Sequence, residues 1–251
     1  MPRYTRRDEY AVLREQLGML GAKLGEWAPG ARSAVFVDAN HHVDREAAAR
    51  AGIAVYGKNT LAITRRHGSW VVLGALVTDA EIEPSSELAL DCGECRLCID
   101  ACPTGALDEP GTLDATRCLS YWTQAPAAVP DEYRIEIGDM VYGCDICQDV
   151  CPWNHGVEKR RRGTSLHPDA RPVVSLVDWL ERDADALVAE FDRLYVPRND
   201  GRWLRRNALI AAGNVGDAEL RPSIEQHAES SDPVVADAAS WALDRMSQRT
   251  R

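Results

Sequence analysis

Cys92-Gly93-Glu94-Cys95-Arg96-Leu97-Cys98-Ile99-Asp100-Ala101-Cys102-Pro103 and Cys144-Asp145-Ile146-Cys147-Gln148-Asp149-Val150-Cys151-Pro152 decide how the centre of this chain is read. The first run spaces its cysteines x2, x2, x3 and the second x2, x3; each closes on Cys-Pro, and Cys118 stands alone between them. This is the spacing of bacterial two-cluster ferredoxins, in which the last cysteine of each run ligates the other cluster. Cys92, Cys95, Cys98 and Cys151 are therefore expected to hold one 4Fe–4S cluster. Cys102, Cys144 and Cys147 are expected to hold the second, with Cys118 as its fourth ligand. All 8 cysteines are then used. Close x2 spacing lets a loop wrap three thiolates around one face of a cubane, and shared cysteines keep the two clusters near each other. Zinc also binds paired C-x-x-C runs, but it takes four ligands and has no use for the interlocked third and fourth cysteines. Disulfides are the poorer reading, because cytosolic thiols stay reduced.

Working outward, the chain of 251 residues is long enough for one or two domains, and 45% hydrophobic residues can form a real core. Its longest apolar run, Trp70 to Val77, falls far short of the roughly 18–20 residues needed to cross a membrane. No basic-then-apolar start with a small-residue cleavage site follows Met1, so a cytoplasmic location is expected. The net charge of −10 argues against a general basic coat for nucleic acid, though not against a local patch.

Before the cysteines, Tyr10, Leu13, Leu17, Leu20 and Leu24 recur at helical spacing, so a helix is expected over 8–28, ended by Pro29-Gly30. Ser33 to Val37 is β-prone and delivers Asp38 into a loop. Asp44 to Ala51 reads as a helix closed by Gly52, and Trp70 to Thr78 as a buried-type strand. This alternation suggests an α/β unit. Beyond the cysteines come the basic run Lys159-Arg160-Arg161-Arg162 and a linker marked by Pro168 and Pro172. From about residue 174 the chain reads as helical. Arg206 to Ala212 and Ala236 to Ala242 resemble each other, as HEAT-type repeats would, although an ordinary helical hairpin explains two partial copies equally well.

Other motifs carry little. Gly52-x4-Gly57-Lys58 imitates a phosphate-binding loop, but Asn59 stands where Ser or Thr is needed for magnesium. No G-x-G-x-x-G fingerprint supports a dinucleotide. The 6 histidines are scattered apart from His41-His42, and none is assigned as a ligand.

Taken together the pieces resemble a known family. Val37-Asp38, Val43-Asp44-Arg45, Tyr56-Gly57-Lys58-Asn59-Thr60, Gly68-Ser69-Trp70, Arg117-Cys118-Leu119-Ser120-Tyr121, Tyr142-Gly143-Cys144-Asp145, Cys151-Pro152-Trp153-Asn154 and Arg202-Trp203-Leu204-Arg205-Arg206-Asn207-Ala208 look like the epoxyqueuosine reductases. The likeness runs over nearly the whole chain. It implies two 4Fe–4S clusters, a cobalamin, and a transfer RNA whose wobble epoxyqueuosine is reduced to queuosine in the last step of that pathway. The implied acid is Asp38, which would protonate the departing epoxide oxygen as a partly desolvated carboxyl. Cobalamin contacts are implied at Lys58, Asn59, Ala62, Leu73, Ser120, Cys144 and Asp145. The chain lacks the D-x-H-x-x-G signature of histidine-on cobalamin enzymes, in keeping with a family that binds the corrinoid without one. RNA contacts are expected from Arg160, Arg161, Arg162, Arg202, Arg205 and Arg206, with Trp203 among them. A solvated basic face is the competing reading for any single arginine.

The implied fold is α+β: a partial α/β cobalamin-binding and catalytic domain over 1–87, a ferredoxin-like double-cluster domain over 88–158, and a HEAT-like, tRNA-binding helical domain over 174–251. A monomer served by a flavodoxin- or ferredoxin-type electron donor, with no membrane partner, is expected. Family members begin earlier in the sequence, so Met1 is expected to fall inside the plan of a longer protein, and the chain reads as an N-terminally shortened member. Asn40-His41-His42 also replaces the small residue, proline and apolar residue usual after the aspartate, so the pocket wall is expected to differ there. Two further functions stay open: a corrinoid reductase of another substrate, such as an organohalide, and a ferredoxin-like electron carrier with a binding tail but no cobalamin. Cobalamin binding separates the last from the other two.

Overall fold

The computed structural model describes residues 1–39 and 41–249. Asp8 caps the first long helix, α1 (Glu9–Trp27), by accepting the Ala11 amide at 2.9 Å, and Glu9 complements the positive helix end. The helix packs on a two-stranded antiparallel sheet of β1 (Ser33–Phe36) and β4 (Ala75–Thr78), with Ser33 opposite Thr78 and Phe36 opposite Ala75. Its Leu13 and Leu17 are half-buried, whereas Leu20, expected on the same face, is exposed. Between the two strands lie α2 (Asp44–Arg50) and a second antiparallel pair, β2 (Val55–Tyr56) with β3 (Ala62–Ile63). The expected strand over Trp70–Thr78 forms only in its second half. Trp70 to Leu73 find no partner strand and run as an irregular wall.

Short helices carry the cysteine region, as its turn-rich composition suggests: α3 (Leu97–Asp100), α4 (Leu119–Trp122), α5 (Asp131–Arg134) and α6 (Ile146–Asp149). Pro152 then opens α7 (Pro152–Arg161) at a position where its missing amide costs nothing. Lys159, Arg160 and Arg161 occupy the last turn, where cations suit the negative helix end.

The helical half comprises α8 (Leu176–Glu181), α9 (Ala184–Glu190), α10 (Arg202–Val215), α11 (Arg221–Ala228) and α12 (Pro233–Arg249). The two similar segments noted above lie on α10 and α12, which pack against each other through small residues. A Cβ on Gly213 would stand 2.7 Å from the Ala242 Cα, so the close approach requires glycine. The principal core does not respect the cluster-to-tail linker. Leu119, Val129, Ile137, Val141 and Tyr142 from the cysteine region share it with Trp179, Leu204, Ile210 and Ala239. Among the described residues no helix is long and apolar enough to cross a membrane.

Candidate functional site

The eight thiols divide in space as their spacing suggests. Cys92, Cys95, Cys98 and Cys151 line one cavity of about 270 Å³, together with Lys58, Asn59 and Trp153. Four thiols around that much space suit a multi-atom inorganic cluster better than one tetrahedral ion. Cys144, in turn, lies in the field of Cys118 and Cys102, and Cys147 in that of Cys144, Cys118 and Cys102. Cys147 also feels Cys98, so the two thiol sets adjoin. Burial raises the thiols of Cys98, Cys147 and Cys151 above the ordinary range and pushes Cys144 up to about 11. A bound metal must displace those protons, as thiolate ligation does. None of the eight is in a disulfide, and α3 and α6 bring Cys98, Cys102 and Cys147 together around Ile99, Leu107 and Val150.

Lys58 belongs to the wall of this thiol cavity. Its ammonium donates to the Gly93 carbonyl at 2.6 Å and the Cys95 carbonyl at 3.0 Å, which accounts for the lysine of the false phosphate loop. Asn59 likewise reaches the Cys147 carbonyl. Both residues, expected on a corrinoid, line the thiol cavity rather than the cavity of Asp38. The reason is that the Gly57–Thr60 turn folds over the first cysteine run instead of facing away from it.

A second cavity, of about 470 Å³, contains Asp38. Asp38 follows β1 and takes a left-handed φ of 52°, a conformation that Asp and Asn tolerate better than other side chains with a Cβ. Its carboxylate is exposed, so the partial desolvation expected from sequence is not built into the chain and has to come from a bound molecule. Ala62 and Leu73 lie in the same wall, with Val71, Val72 and Trp70 supplying an apolar surface. Tyr10, opposite, is held protonated to higher pH by burial and by the negative charges of Asp38 and Asp44. Gln148, the neighbour of Cys147, also lines this cavity. Its side-chain oxygen accepts from Ser69 Oγ at 3.0 Å, and its carbonyl accepts from Asn154 Nδ2 at 2.7 Å. The thiol region and the carboxylate cavity are thus joined through one residue. Tyr10 and Gln148 stand in stretches that resemble the family, Arg3-Tyr4-x3-Asp8-x-Tyr10 and Cys144-Asp145-x-Cys147-Gln148, but neither stretch assigns them a site role; the fold brings them beside Asp38.

The other expected contacts approach from the side. Asp145 accepts the Arg3 amide at 2.7 Å, and burial raises its carboxyl above the ordinary range while that hydrogen bond opposes the rise. Gln124 Nε2 links Ser120 to Tyr4, donating to the Ser120 Oγ at 3.2 Å and to the Tyr4 hydroxyl at 3.4 Å. Arg3 and Tyr4 line the Asp38 cavity, so Asp145 and Ser120 support its rim from behind. Of the unusual Asn40-His41-His42 segment, Asn40 lies outside the described residues. His41 and His42 pack edge-on against Phe36, and His42 sits 3.1 Å from Asp44.

The arginines do not form one patch. Arg206 is buried and is not available to RNA. It donates to the carbonyls of Trp122 at 2.8 Å, Ala125 at 2.7 Å and Ala127, and burial pulls its pKa down to about 10. Arg205 donates to the carbonyls of Leu180 and Arg182 at the end of α8. Arg202 is paired with Asp200 and Asp232, both at 2.6 Å, and its cation lies over the half-buried Trp203 ring. Arg160 donates to the Arg66 carbonyl. Arg161 and Arg162 are exposed and lie elsewhere, among arginines from the start of the chain.

Residues 91–154 match the 4Fe-4S double cluster binding domain family. The chain is 35% identical over 250 residues to the epoxyqueuosine reductase of Lactococcus garvieae, covering 97% of this chain and 70% of that protein. It is similar to a solved epoxyqueuosine reductase with a tRNA-Tyr epoxyqueuosine-modified stem loop, with a TM-score of 0.83 at 35% identity over 96% of this chain and 64% of that one. The Bacillus subtilis enzyme, solved with an aspartate catalytic loop swung out of the active site, gives a TM-score of 0.82 at 33% identity and the same coverage. The chain therefore spans about two thirds of the length of the relatives it matches. With the thiol sets, the Asp38 loop and this similarity along nearly its full length, the chain belongs to the epoxyqueuosine reductase family.

Proposed function

We propose that this chain reduces epoxyqueuosine to queuosine at the wobble position of transfer RNA. The observation that carries the reading is that Gln148, next to the cluster ligand Cys147, and Asp38 line one cavity. Electron supply and proton supply thereby meet at one place. The relative solved with a modified tRNA stem loop supports the substrate class, and the relative with an aspartate on a catalytic loop supports the role of Asp38.

Turning the epoxide into an alkene takes two electrons and two protons and releases water. Asp38 would give a proton to the oxygen as the carbon–oxygen bond breaks, because an alkoxide leaving unprotonated is a poor leaving group. A substrate seated over Asp38 excludes water from the carboxyl and brings it against the epoxide oxygen. Tyr10, held neutral, can hydrogen-bond the same oxygen or the carboxyl. Cobalamin, when bound, would supply a cobalt centre that takes electrons from the clusters and acts at the epoxide carbon. The apolar wall of Ala62, Leu73, Val71 and Val72 fits one face of a flat macrocycle, and among the described residues no histidine lines that cavity. Ser120, Cys144 and Asp145 would support its edge through Tyr4 and Arg3. The HEAT-like reading of the helical tail, the cytoplasmic location, the monomeric state and a flavodoxin- or ferredoxin-type donor belong to the same proposal.

The test is anaerobic turnover of the full chain, loaded with iron, sulfide and cobalamin, on an epoxyqueuosine stem loop. Loss of one oxygen atom by mass spectrometry is the expected result. A chain that holds both clusters and binds no cobalamin would instead be an electron carrier.

A further inference from the structure

Beside the Asp38 cavity lies a second depression of about 550 Å³, sharing Arg3, Glu9 and Arg161 with it. Arg3, Arg6, Arg7, Arg161, Arg162 and His167 surround it. Two acidic residues, Glu9 and Glu158, also line it, and Glu158 is taken up by Arg3 at 2.7 Å. Arg6 turns its Nε to the Met1 carbonyl at 3.1 Å. The guanidinium groups of Arg7, Arg161 and Arg162 have no hydrogen-bond or ion-pair partner among the described residues. On a chain of net charge −10, three unpaired cations around one hollow are a local reversal of the overall field. Neighbouring arginines repel one another: Arg6 is held below its ordinary pKa by burial and then by Arg3. Such crowding is relieved by an anion with several oxygens spaced along a chain, which is what a phosphodiester backbone offers.

We infer that this depression holds the backbone phosphates of the RNA nucleotides flanking the base that enters the Asp38 cavity. The inference rests on the proposed tRNA reading and adds where the strand runs. Flanking phosphates fit because the two hollows are continuous through Arg161, so a nucleotide whose base occupies one carries its own backbone into the other. Arg161 faces both, whereas Arg7 and Arg162 line only the basic hollow. Arg3, Arg6 and Arg7 form a sequence run too short to stand out until α7 brings Arg161 and Arg162 beside it. A corrinoid side chain also carries a phosphodiester, but a single one, which does not account for three unpaired cations.

The experiment measures binding of a synthetic epoxyqueuosine anticodon stem loop to the full cluster-loaded chain, in the wild type and in Arg7→Ala/Arg162→Ala. Arg221→Ala, on a half-buried residue of α11 that faces Glu225 and lines neither hollow, serves as control, and thermal unfolding with the cluster absorbance checks folding. The double variant is expected to bind roughly fivefold or more weakly. Its dependence of log Kd on log salt is expected to become shallower by about 0.7 for each lost phosphate contact. Arg7→Lys/Arg162→Lys should restore the salt slope. Unchanged affinity and slope in the double variant, while the wild type reduces the stem loop, would overturn the inference alone. A double variant that binds RNA normally but takes up cobalamin poorly would also overturn it, assigning the hollow to the corrinoid phosphate. A wild type that neither binds nor reduces the stem loop removes the tRNA reading, and the inference with it.

Discussion

Asp38 shows what a single residue can be asked to do. Its backbone is left-handed, and asparagine accepts that conformation almost as readily. Asp38→Asn should therefore keep the loop and both clusters while reduction falls by about 10²–10⁴-fold, the usual worth of a positioned acid. Full activity in that variant, measured by oxygen loss from the stem loop, would remove Asp38 from the mechanism. The cysteines make an equally local prediction. Cys118 lies outside both runs yet belongs to the Cys102, Cys144 and Cys147 set. Cys118→Ser should lose about half the iron per chain and one of the two cluster signals in electron paramagnetic resonance. Retention of both signals would mean another ligand completes the second cluster. The division of the run cysteines was legible in sequence because their spacing orders the thiols, Cys118 followed as the one cysteine left over, and the role of Asp38 came from the family resemblance. The role of Arg206 was not legible, since an arginine in a basic string looks the same whether its guanidinium meets solvent or three backbone carbonyls.

At the scale of elements, the α1 helix, the strand before Asp38 and α2 follow from capping, periodicity and β-branching, and they form where the sequence suggests. The Trp70–Thr78 strand is half lost because β-propensity is realised only against a partner, and β1 pairs with Ala75–Thr78 alone. What holds the unpaired half is tertiary. Gly68 has φ +59°, and a Cβ there would collide with Asn154 Oδ1 and lie 2.8 Å from the Trp153 carbonyl. The adjacent Ser69 amide donates to Asn154 Oδ1 at 2.8 Å, and Asn154 Nδ2 returns a bond to Ser69 Oγ at 2.9 Å. This lock ties the wall of the Asp38 cavity to the helix that follows Cys151. Gly68→Ala should destabilise the chain by about 1–3 kcal/mol, from left-handed strain plus the broken lock. The denaturant midpoint measures it; an unchanged midpoint would mean that the lock is not needed for stability. Cluster loading should also weaken in this variant, because α7 begins at Cys151, which lines the thiol cavity and is proposed as a ligand.

Across the whole molecule, the helical tail and the cluster region are one packed unit. Arg206 holds the Trp122–Ala127 segment, Asn207 donates to the Thr123 and Val141 carbonyls at 2.7 and 2.9 Å, and Thr123 Oγ1 accepts the Gly143 amide at 2.8 Å. These bonds connect α10 to the stretches beside Cys118 and Cys144. Arg206→Met keeps much of the volume but leaves buried carbonyls unpaired, at a cost of about 2–4 kcal/mol. Denaturation should therefore show the helical half and the cluster absorbance lost together at a lower midpoint; two separate transitions would contradict the single packed unit. Sequence by itself determined the ligand chemistry, the helical character of the tail and the loop position of Asp38, because covalent spacing and local periodicity encode them directly. Only the tertiary structure decided that Gln148 and Tyr10 stand beside Asp38, that Lys58 closes the thiol cavity, and that Arg161 and Arg162 join Arg3, Arg6 and Arg7 while Arg206 is buried. Those outcomes depend on contacts between residues far apart in the chain, and no local pattern records which of two chemically identical side chains will meet water.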